Sequence, residues 1–314
     1  MSMELENAPV DSSSPVVSRL QENVDTQTWV SRECFHLLGQ SVVVRSTSPE
    51  FAAQVRRFLR SFPMDSGDGL SPHLTISIIV APPSKSRIQP VYFIYRDYSP
   101  VGCANSYWHL FRLLECQLNL FLGEAVTDRY LLHAGAVAIQ GAGIILAGPP
   151  DSGKTSLTMA LLLKGYSYLS DELAVVDPIT RELHPYPKPL SIRDPSLFPE
   201  LDWRRCLYPE PEAGEPGAVW YIHPEDFTAT PISEPVPVRY VIFPKYDPTA
   251  APHLQQLSKG RAAWQLMENS LNICRLGKDG LRLLAELVEG AQCFSLIAND
   301  LETRTALITE LTTR

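Results

Sequence analysis

The stretch Gly148-Pro149-Pro150-Asp151-Ser152-Gly153-Lys154-Thr155 decides how the rest of this sequence is interpreted. It matches the pattern GxxxxGK[ST] at every fixed position. An apolar run at residues 143–147 comes directly before it, and a helical pattern begins at Lys154. A strand, a glycine-containing loop and a helix in this order are typical of a loop that holds phosphate groups. The flanking pattern disfavours the alternative, which is a chance match in a strand-to-helix turn.

The residue types in this stretch suit a phosphate ligand. The two glycines let backbone N–H groups surround an oxyanion without Cβ clashes, and the helix N-terminus adds the positive end of its dipole. Lys154 is predicted to reach the β- and γ-phosphates, and the Thr155 hydroxyl to bind Mg²⁺. ATP and Mg²⁺ are therefore the expected ligands. The expected nucleotide contacts are Gly148, Asp151, Ser152, Gly153, Lys154, Thr155 and Ser156.

His133 stands directly before the strand that leads to this loop. Residues 134–139 and 143–147 are apolar runs separated by a turn that contains Gly141, which predicts an antiparallel hairpin. In such a hairpin the start of the first strand lies beside the end of the second. His133 is therefore expected at the phosphate-binding end of the sheet. Whether its ring faces the phosphates or packs as a structural histidine stays open.

Two adjacent acids, Asp171 and Glu172, follow the helix and a short strand. In a continuous strand their side chains would point to opposite faces, whereas a bulge or turn would bring both to the phosphates. Phosphoryl transfer needs one carboxylate near the acceptor hydroxyl and another at Mg²⁺. The alternative is a solvated loop, which the nearby phosphate-binding motif disfavours.

Two cations and a long loop come next. Lys188 and Arg193 can stabilise the charge on a transferred phosphoryl group, or they can lie at the surface with their stems on apolar neighbours. Residues 195–225 are rich in proline and aromatic residues. They can form a lid over an acceptor or a packed surface excursion.

The composition restricts the class of protein. The chain has 314 residues, a formal net charge of −8 and a hydrophobic fraction of 45%. This charge and the absence of a basic run argue against a nucleic-acid or anionic-membrane partner, and no apolar window of ~18 residues predicts a membrane span. The six cysteines are scattered. This spacing excludes a zinc ribbon and fits free thiols in the cytoplasm.

The domain organisation is predicted as α/β. Residues 1–33 are predicted to be a disordered leader, with a partner-binding arm as the alternative. Residues 34–125 are predicted to form a small α+β domain, and residues 126–314 the phosphate-binding domain. Ser48 is predicted to open a helix. The other predicted helices are residues 107–122, 154–164, 259–271, 279–288 and 300–312, and the main predicted strands are residues 41–45, 73–80, 91–95, 134–139, 143–147, 173–177, 236–243 and 293–298.

The spacing of His133-Ala-Gly, the 148–155 loop and Gly165-Tyr-Ser-Tyr-Leu-Ser-Asp171-Glu172 resembles the HPr kinase/phosphorylase family, and more closely its broad group of HPr-kinase-like kinases. The resemblance implies a P-loop kinase domain of the HPr kinase and phosphoenolpyruvate carboxykinase type. It implies that Asp171 accepts the hydroxyl proton, that Glu172 helps to hold Mg²⁺, and that His133 lies near the transferred phosphate. Arg193 joins these catalytic candidates with Lys154. The family's second acid is commonly Asp, so Glu172 is a departure.

A second departure from the family's pattern bears on which phosphate acceptor is expected. Bifunctional members carry Glu-Ile-Arg-Gly-Leu-Gly, whereas Leu190-Ser191-Ile192-Arg193-Asp194 keeps only Ile-Arg. Relatives in the group phosphorylate serine in peptide precursors. A hydroxyl of a peptide, a protein or a small molecule is therefore expected rather than HPr, for example in a peptide natural-product precursor. A homo-oligomer is one expected state, because the family often assembles, although no heptad run indicates it.

The leading hypothesis is thus an ATP- and Mg²⁺-dependent kinase that acts on a hydroxyl acceptor. A non-catalytic nucleotide-binding regulatory protein is the alternative. ATP hydrolysis or a carboxykinase-type reaction is a third interpretation, but the larger ligand set of carboxykinases is not found.

Overall fold

The structure is a computed structural model that describes residues 24–65, 71–83, 89–206, 217–227 and 234–313. The described residues fall into two compact units, one up to Leu118 and the other from Asn119 onward. Both units combine helices with sheets, which confirms the α/β class. The division falls inside a helix, ahead of the boundary at residue 125 that the sequence suggests.

The first unit contains a six-stranded sheet with the order β3-β1-β2-β4-β5-β6. Its β2–β4 pair is parallel, and the other neighbours are antiparallel. Its elements are β1 (Ser31–Leu37), β2 (Gln40–Ser46), α1 (Pro49–Phe58), β3 (Met64–Asp65), β4 (Leu74–Ala81), β5 (Val91–Arg96), β6 (Ser99–Ala104) and α2 (Tyr107–Ala125), which extends into the second unit.

Helix α1 shows why this unit folds locally as its sequence predicts. The Ser48 hydroxyl accepts a hydrogen bond from the Phe51 backbone N–H at 3.2 Å, and proline follows as the first helical residue. The apolar face then packs on aromatic rings, with Phe58 and Phe111 centroids 4.8 Å apart. This contact joins α1 to α2 in the first unit's core.

The described strands of the second unit are β7 (Tyr130–Leu132), β8 (Ala134–Ile139), β9 (Ala142–Ala147), β10 (Ser167–Ser170), β11 (Ala174–Val176), β12 (Glu182–His184), β13 (Leu190–Ile192), β14 (Trp220–Ile222), β15 (Val236–Tyr246), β16 (His253–Gln256) and β17 (Gln292–Ala298). Nine of them form one sheet, whose main path is β10-β8-β9-β15-β12-β11-β7 and which also contains β16 and β17. Strands β13 and β14 form a separate pair. The helices of this unit are α3 (Lys154–Leu163), α4 (Lys259–Glu268), α5 (Ile273–Gly290) and α6 (Leu301–Thr313).

Helices cover both faces of the nine-stranded sheet, and alternate residues of its central strands pack against one helical layer or the other. Ile145 of β9 packs in one cluster with residues of α4 and α5. Ile144 and Leu146 face the opposite cluster, which contains residues of α3 and α6. Because both faces are covered, the central strands are apolar throughout, as expected for a buried sheet.

The predicted hairpin is confirmed. Strands β8 and β9 are antiparallel, with Ala134 opposite Ala147 and a turn at Gln140-Gly141. Strand β15 then lies parallel to β9 on its other side. This arrangement brings the residue before β8 and the loop after β9 to one end of the sheet.

Every predicted helix and main strand overlaps an observed element, but several strands are absent from the sequence interpretation. Among them are Ser31–Leu37, Met64–Asp65, Ser99–Ala104, Tyr130–Leu132, Glu182–His184, Trp220–Ile222 and His253–Gln256. Most are too short for alternation to be recognised, and Ser99–Ala104 contains Pro and Gly. The end of the predicted leader belongs to β1, while residues 1–23 lie outside the described residues.

Candidate active site

The 148–153 loop joins the end of β9 to the start of α3. Gly153 is the N-cap residue of α3, with a φ of +83°, and no side chain caps the helix there. The amide groups of the first helical turn have no partners within the helix. The start of α3 therefore offers N–H donors and a positive dipole end to an anion.

The ammonium of Lys154 lies within this loop. Its Nζ atom donates hydrogen bonds to the carbonyl oxygens of Gly148 at 2.7 Å and Pro149 at 3.0 Å. Burial lowers the pKa of Lys154, and the nearby carboxylates, led by Glu172, oppose that shift. The ammonium is thus held inside the loop where the sequence expects phosphate groups.

Asp171 and Glu172 lie in a bend between β10 and β11, and Glu172 has a φ of +73°. Of the two arrangements that the sequence leaves open, the structure has the turn. The Thr155 hydroxyl donates a hydrogen bond to Asp171 Oδ1 at 3.1 Å. Asp171 is buried, so this carboxylate is fixed against the first turn of α3.

Lys188 lies on the other side of this carboxylate. Its Nζ atom is 3.9 Å from Asp171 Oδ2 and donates a hydrogen bond to the Pro189 carbonyl at 3.1 Å. Lys188 has an exposed fraction of 2%, which excludes the surface position among its two predicted alternatives. The Tyr168 hydroxyl donates to the Lys188 carbonyl at 2.7 Å and fixes this segment beside β10.

His133 lies at the same end of the sheet as the loop, as the hairpin predicts. Its Nδ1 atom is 3.3 Å from Glu172 Oε2, and its backbone N–H donates to Asn269. Burial is the largest cause of a lowered His133 pKa; Glu172 opposes this shift and Lys154 adds to it. The imidazole is therefore biased towards its neutral form beside a carboxylate.

Arg193 follows β13 and forms an ion pair with Asp151 of the loop. Both side chains are largely exposed. The structure thus brings Arg193 to the 148–153 loop but on its solvent side, whereas Lys188 is interior. Because the Arg193 guanidinium is exposed, an anionic ligand can reach it directly from solvent.

Sequence reasoning missed Arg304, which lies beneath the loop. This buried residue of α6 donates a hydrogen bond from Nη1 to the Ser152 carbonyl at 3.2 Å. A Cβ atom on Gly153 would lie only 2.6 Å from the same Nη1 atom. No local pattern links positions so distant in sequence; an alignment with co-varying positions is the kind of signal that could.

The donor atoms at this site are of the types that the sequence expects for Mg²⁺ and a nucleoside triphosphate. Thr155, Asp171 and Glu172 supply oxygen atoms, which Mg²⁺ prefers. The buried Ser152 Oγ has no hydrogen-bond partner among the described residues, and a Cβ atom on Gly148 would approach it to 3.0 Å. The loop therefore leaves the Ser152 hydroxyl able to bind a ligand, and it has little space for a side chain at position 148.

The described part of residues 195–225 is packed rather than extended over the site. Strand β14 pairs with β13. Phe198, Cys206 and Ile222 are buried in the core cluster next to α3. Residues 207–216, the middle of the predicted lid, lie outside the described residues.

The search for membrane-spanning segments, made over the described residues, finds no helix with the length and apolar character to cross a bilayer. Protein-family models give no match to the chain. A search of curated proteins likewise gives no match.

One solved structure with partial similarity is the Hpr(Ser) kinase/phosphatase from Coxiella burnetii. It is 13% identical, the match covers 58% of this chain and 92% of that chain, and the TM-score is 0.28. A score this low identifies neither the detailed fold nor the activity.

Proposed function

We propose that the chain is an ATP- and Mg²⁺-dependent kinase that transfers the γ-phosphoryl group to a hydroxyl of a peptide, a protein or a small molecule. One observation carries the proposal: the Thr155 hydroxyl is hydrogen-bonded to the buried Asp171 carboxylate at the start of α3. Phosphoryl transfer requires a loop that holds the phosphate groups and a carboxylate nearby that binds the metal ion or the acceptor.

The roles of the residues follow from their positions. The amides of the 148–153 loop and Lys154 would hold the β- and γ-phosphates, with Arg193 at the solvent side of the loop. Thr155 and Glu172 would hold Mg²⁺, which neutralises phosphate charge when it is bound. His133 lies against Glu172 and would orient that carboxylate.

Asp171 is proposed as the group that orients the acceptor hydroxyl and accepts its proton. Its carboxylate lies between the Thr155 hydroxyl and the Lys188 ammonium, so two partners hold it in place. Because Thr155 is also a proposed Mg²⁺ ligand, Asp171 would lie within reach of the metal as well. The two roles make different predictions for a variant that keeps the shape of the side chain.

A transfer assay tests the proposal. The protein, Mg²⁺ and γ-³²P-ATP are mixed with a cell extract that has been split into small-molecule and macromolecular fractions. Lys154→Ala, Asp171→Asn and the matched surface variant Asp279→Asn, at an exposed position, are run beside the wild type. Label in one fraction, retained by Asp279→Asn and lost by the other two variants, supports a kinase and identifies the acceptor class.

Nucleotide binding separates the roles and the alternatives. If Asp171→Asn binds Mg²⁺-ATP normally but does not transfer label, Asp171 acts on the acceptor; if its Mg²⁺ requirement rises, Asp171 acts on the metal. Binding without label in any fraction and without free phosphate would instead indicate a nucleotide-binding regulatory protein. Free phosphate without a labelled acceptor would indicate a hydrolase.

A further inference from the structure

Three side chains with different donor atoms meet at the edge of the first unit's sheet, in the unit that does not contain the phosphate-binding loop. Cys34 and His36 belong to β1 and share one face, because alternate residues of a strand point the same way. Asp65 belongs to β3 and lies directly opposite Cys34 in the β1–β3 pairing. The pairing therefore places a thiol, an imidazole and a carboxylate together.

The distances between these groups are short. His36 Nε2 is 2.7 Å from Asp65 Oδ2, and the Cys34 thiol is hydrogen-bonded to the same carboxyl group. One ligand atom from each of the three side chains lies within 4.8 Å of the other two. Ligands of a tetrahedral zinc ion are separated by about 3.5 Å, as follows from metal–ligand bonds of about 2.0–2.3 Å. Side-chain shifts of about 1 Å would therefore bring the three ligand atoms to the separations that Zn²⁺ requires.

We propose that Cys34, His36 and Asp65 form a binding site for a divalent transition metal, with Zn²⁺ as the best-matched ion. A thiolate, an imidazole and a carboxylate are the three ligand types that Zn²⁺ takes from proteins. The sulfur and nitrogen donors disfavour Mg²⁺ and Ca²⁺, which select oxygen. The thiol proton is released to solvent when sulfur binds the metal.

The burial of the three groups fits entry from one side. Cys34 is fully buried, whereas the side chains of His36 and Asp65 are 36% and 44% exposed. An ion can approach through the two exposed ligands and bind the sulfur behind them, with water as a fourth ligand. The metal would also tie β3, which has only two residues, to β1.

The site has a structural consequence that a hydrogen-bonded trio lacks. Among the described residues, the β1–β3 register consists of the pairs Cys34–Asp65 and Phe35–Met64. A metal that bridges both strands binds the folded unit more tightly than the unfolded chain, so it raises the unfolding temperature as its free concentration exceeds the dissociation constant.

Cobalt and zinc binding test the proposal on the full chain after treatment with a chelator. Co²⁺ is titrated first, because a cobalt–thiolate bond produces a charge-transfer absorption that oxygen ligands at the nucleotide site do not produce. We expect one equivalent to give this absorption in the wild type. The binding of Co²⁺ is expected to release the Cys34 thiol proton. Zn²⁺ is then expected to displace Co²⁺ without further proton release, and to raise the unfolding temperature above that of the metal-free protein.

Matched variants locate the metal. Cys34→Ser is compared with Cys103→Ser, because Cys103 is an exposed free cysteine of the same unit. His36→Gln and Asp65→Asn are surface changes that keep the fold even if the buried Cys34→Ser does not. Each of these two is expected to weaken Zn²⁺ binding by at least about 10- to 100-fold, which is the loss when only a hydrogen-bond partner of a ligand is removed, while Cys103→Ser binds like the wild type.

Two results would overturn the proposal: wild-type protein without thiolate absorption on Co²⁺ addition, or equal Zn²⁺ affinity in wild type, His36→Gln and Asp65→Asn. Either result would leave a hydrogen-bonded trio. Kinase activity is not a readout here, so these results and those of the transfer assay are independent.

Discussion

At the scale of single residues, the candidate site consists of charged side chains whose positions are fixed by hydrogen bonds and ion pairs. Lys154 is buried among loop carbonyls, Asp171 lies between a hydroxyl and an ammonium, and His133 faces Glu172. Each of these contacts makes a prediction about one side chain.

The first prediction concerns Lys154. Lys154→Ala removes the cation that lies within the phosphate-binding loop, and a hydrogen bond to a charged group is worth about 1.5–3 kcal/mol. The affinity for ATP should fall about 10- to 100-fold, as measured by titration calorimetry. Lys164→Ala, an exposed lysine just after the same helix, should bind like the wild type. Equal affinities in the two variants would contradict the placement of phosphates at Lys154.

The second prediction concerns the pH dependence of stability at His133. Its pKa lies below the ordinary value of 6.5, chiefly because it is buried, so the unfolded chain binds the proton more readily. The folded state should therefore lose stability as the pH falls through about 6.5 towards the lowered pKa. His133→Gln should lose less unfolding free energy between pH 7.5 and pH 5.5, as measured by urea denaturation.

A control separates His133 from other groups that titrate in this range. His184 also has a lowered pKa because of burial and Arg129. His184→Gln should remove its own contribution and leave that of His133 in place. An unchanged pH slope in His133→Gln would show that its imidazole is not held neutral by the fold.

At the scale of elements, α6 supports the loop that α3 follows. The guanidinium of Arg304 fills the space next to Gly153 and bonds to the Ser152 carbonyl. It also lies over the ring of Tyr246, with its carbon atom 5.7 Å from the ring centroid. The loop conformation thus depends on an element far along the chain.

The third prediction separates backbone strain from this contact. Gly153 and Gly165 both have positive φ, but a Cβ atom would meet Arg304 only at Gly153 and nothing within 4 Å at Gly165. Both alanine variants should lose about 1–2 kcal/mol of unfolding free energy from strain. Gly153→Ala should lose more, and it alone should weaken ATP binding.

A double-mutant cycle supplies the check. Combining Gly153→Ala with Arg304→Ala removes the collision, so the two losses should not add. Additive losses in thermal unfolding and in ATP affinity would show that Arg304 does not support the loop.

The fourth prediction concerns Asn272, which joins the start of α5 to residues 126–131. Its side chain accepts from the Leu131 N–H at 3.0 Å and donates to the carbonyls of Val126 at 3.0 Å and Arg129 at 2.8 Å. Asn272→Ala leaves buried backbone groups without partners and should cost about 3 kcal/mol of unfolding free energy. Asn299→Ala, at an exposed position, should change the urea midpoint little.

At the scale of the whole molecule, nucleotide binding should stabilise the folded chain. A ligand at 100 times its dissociation constant adds about 2.7 kcal/mol to the free energy of unfolding. We expect Mg²⁺-ATP to raise the unfolding temperature of the wild type, and Lys154→Ala to lose this rise at the same concentration. A rise of equal size in both proteins would place the nucleotide away from the loop.

What could be predicted from the sequence is local in origin. The hairpin of β8 and β9, the cap of α1 at Ser48 and the 148–153 loop before α3 all follow from neighbouring residues and their spacing. Turn chemistry, capping and apolar periodicity act over a few positions, so the sequence alone determined these elements and the proximity of His133 to the loop.

The tertiary structure decided the contacts between distant segments. It placed β15 beside β9, turned Asp171 towards Thr155, buried Lys188 against Asp171 and brought Arg304 beneath Ser152. The Cys34–Asp65 register belongs to the same class. These contacts join residues that share no local periodicity. They form only when the burial of apolar side chains within each unit brings its elements together.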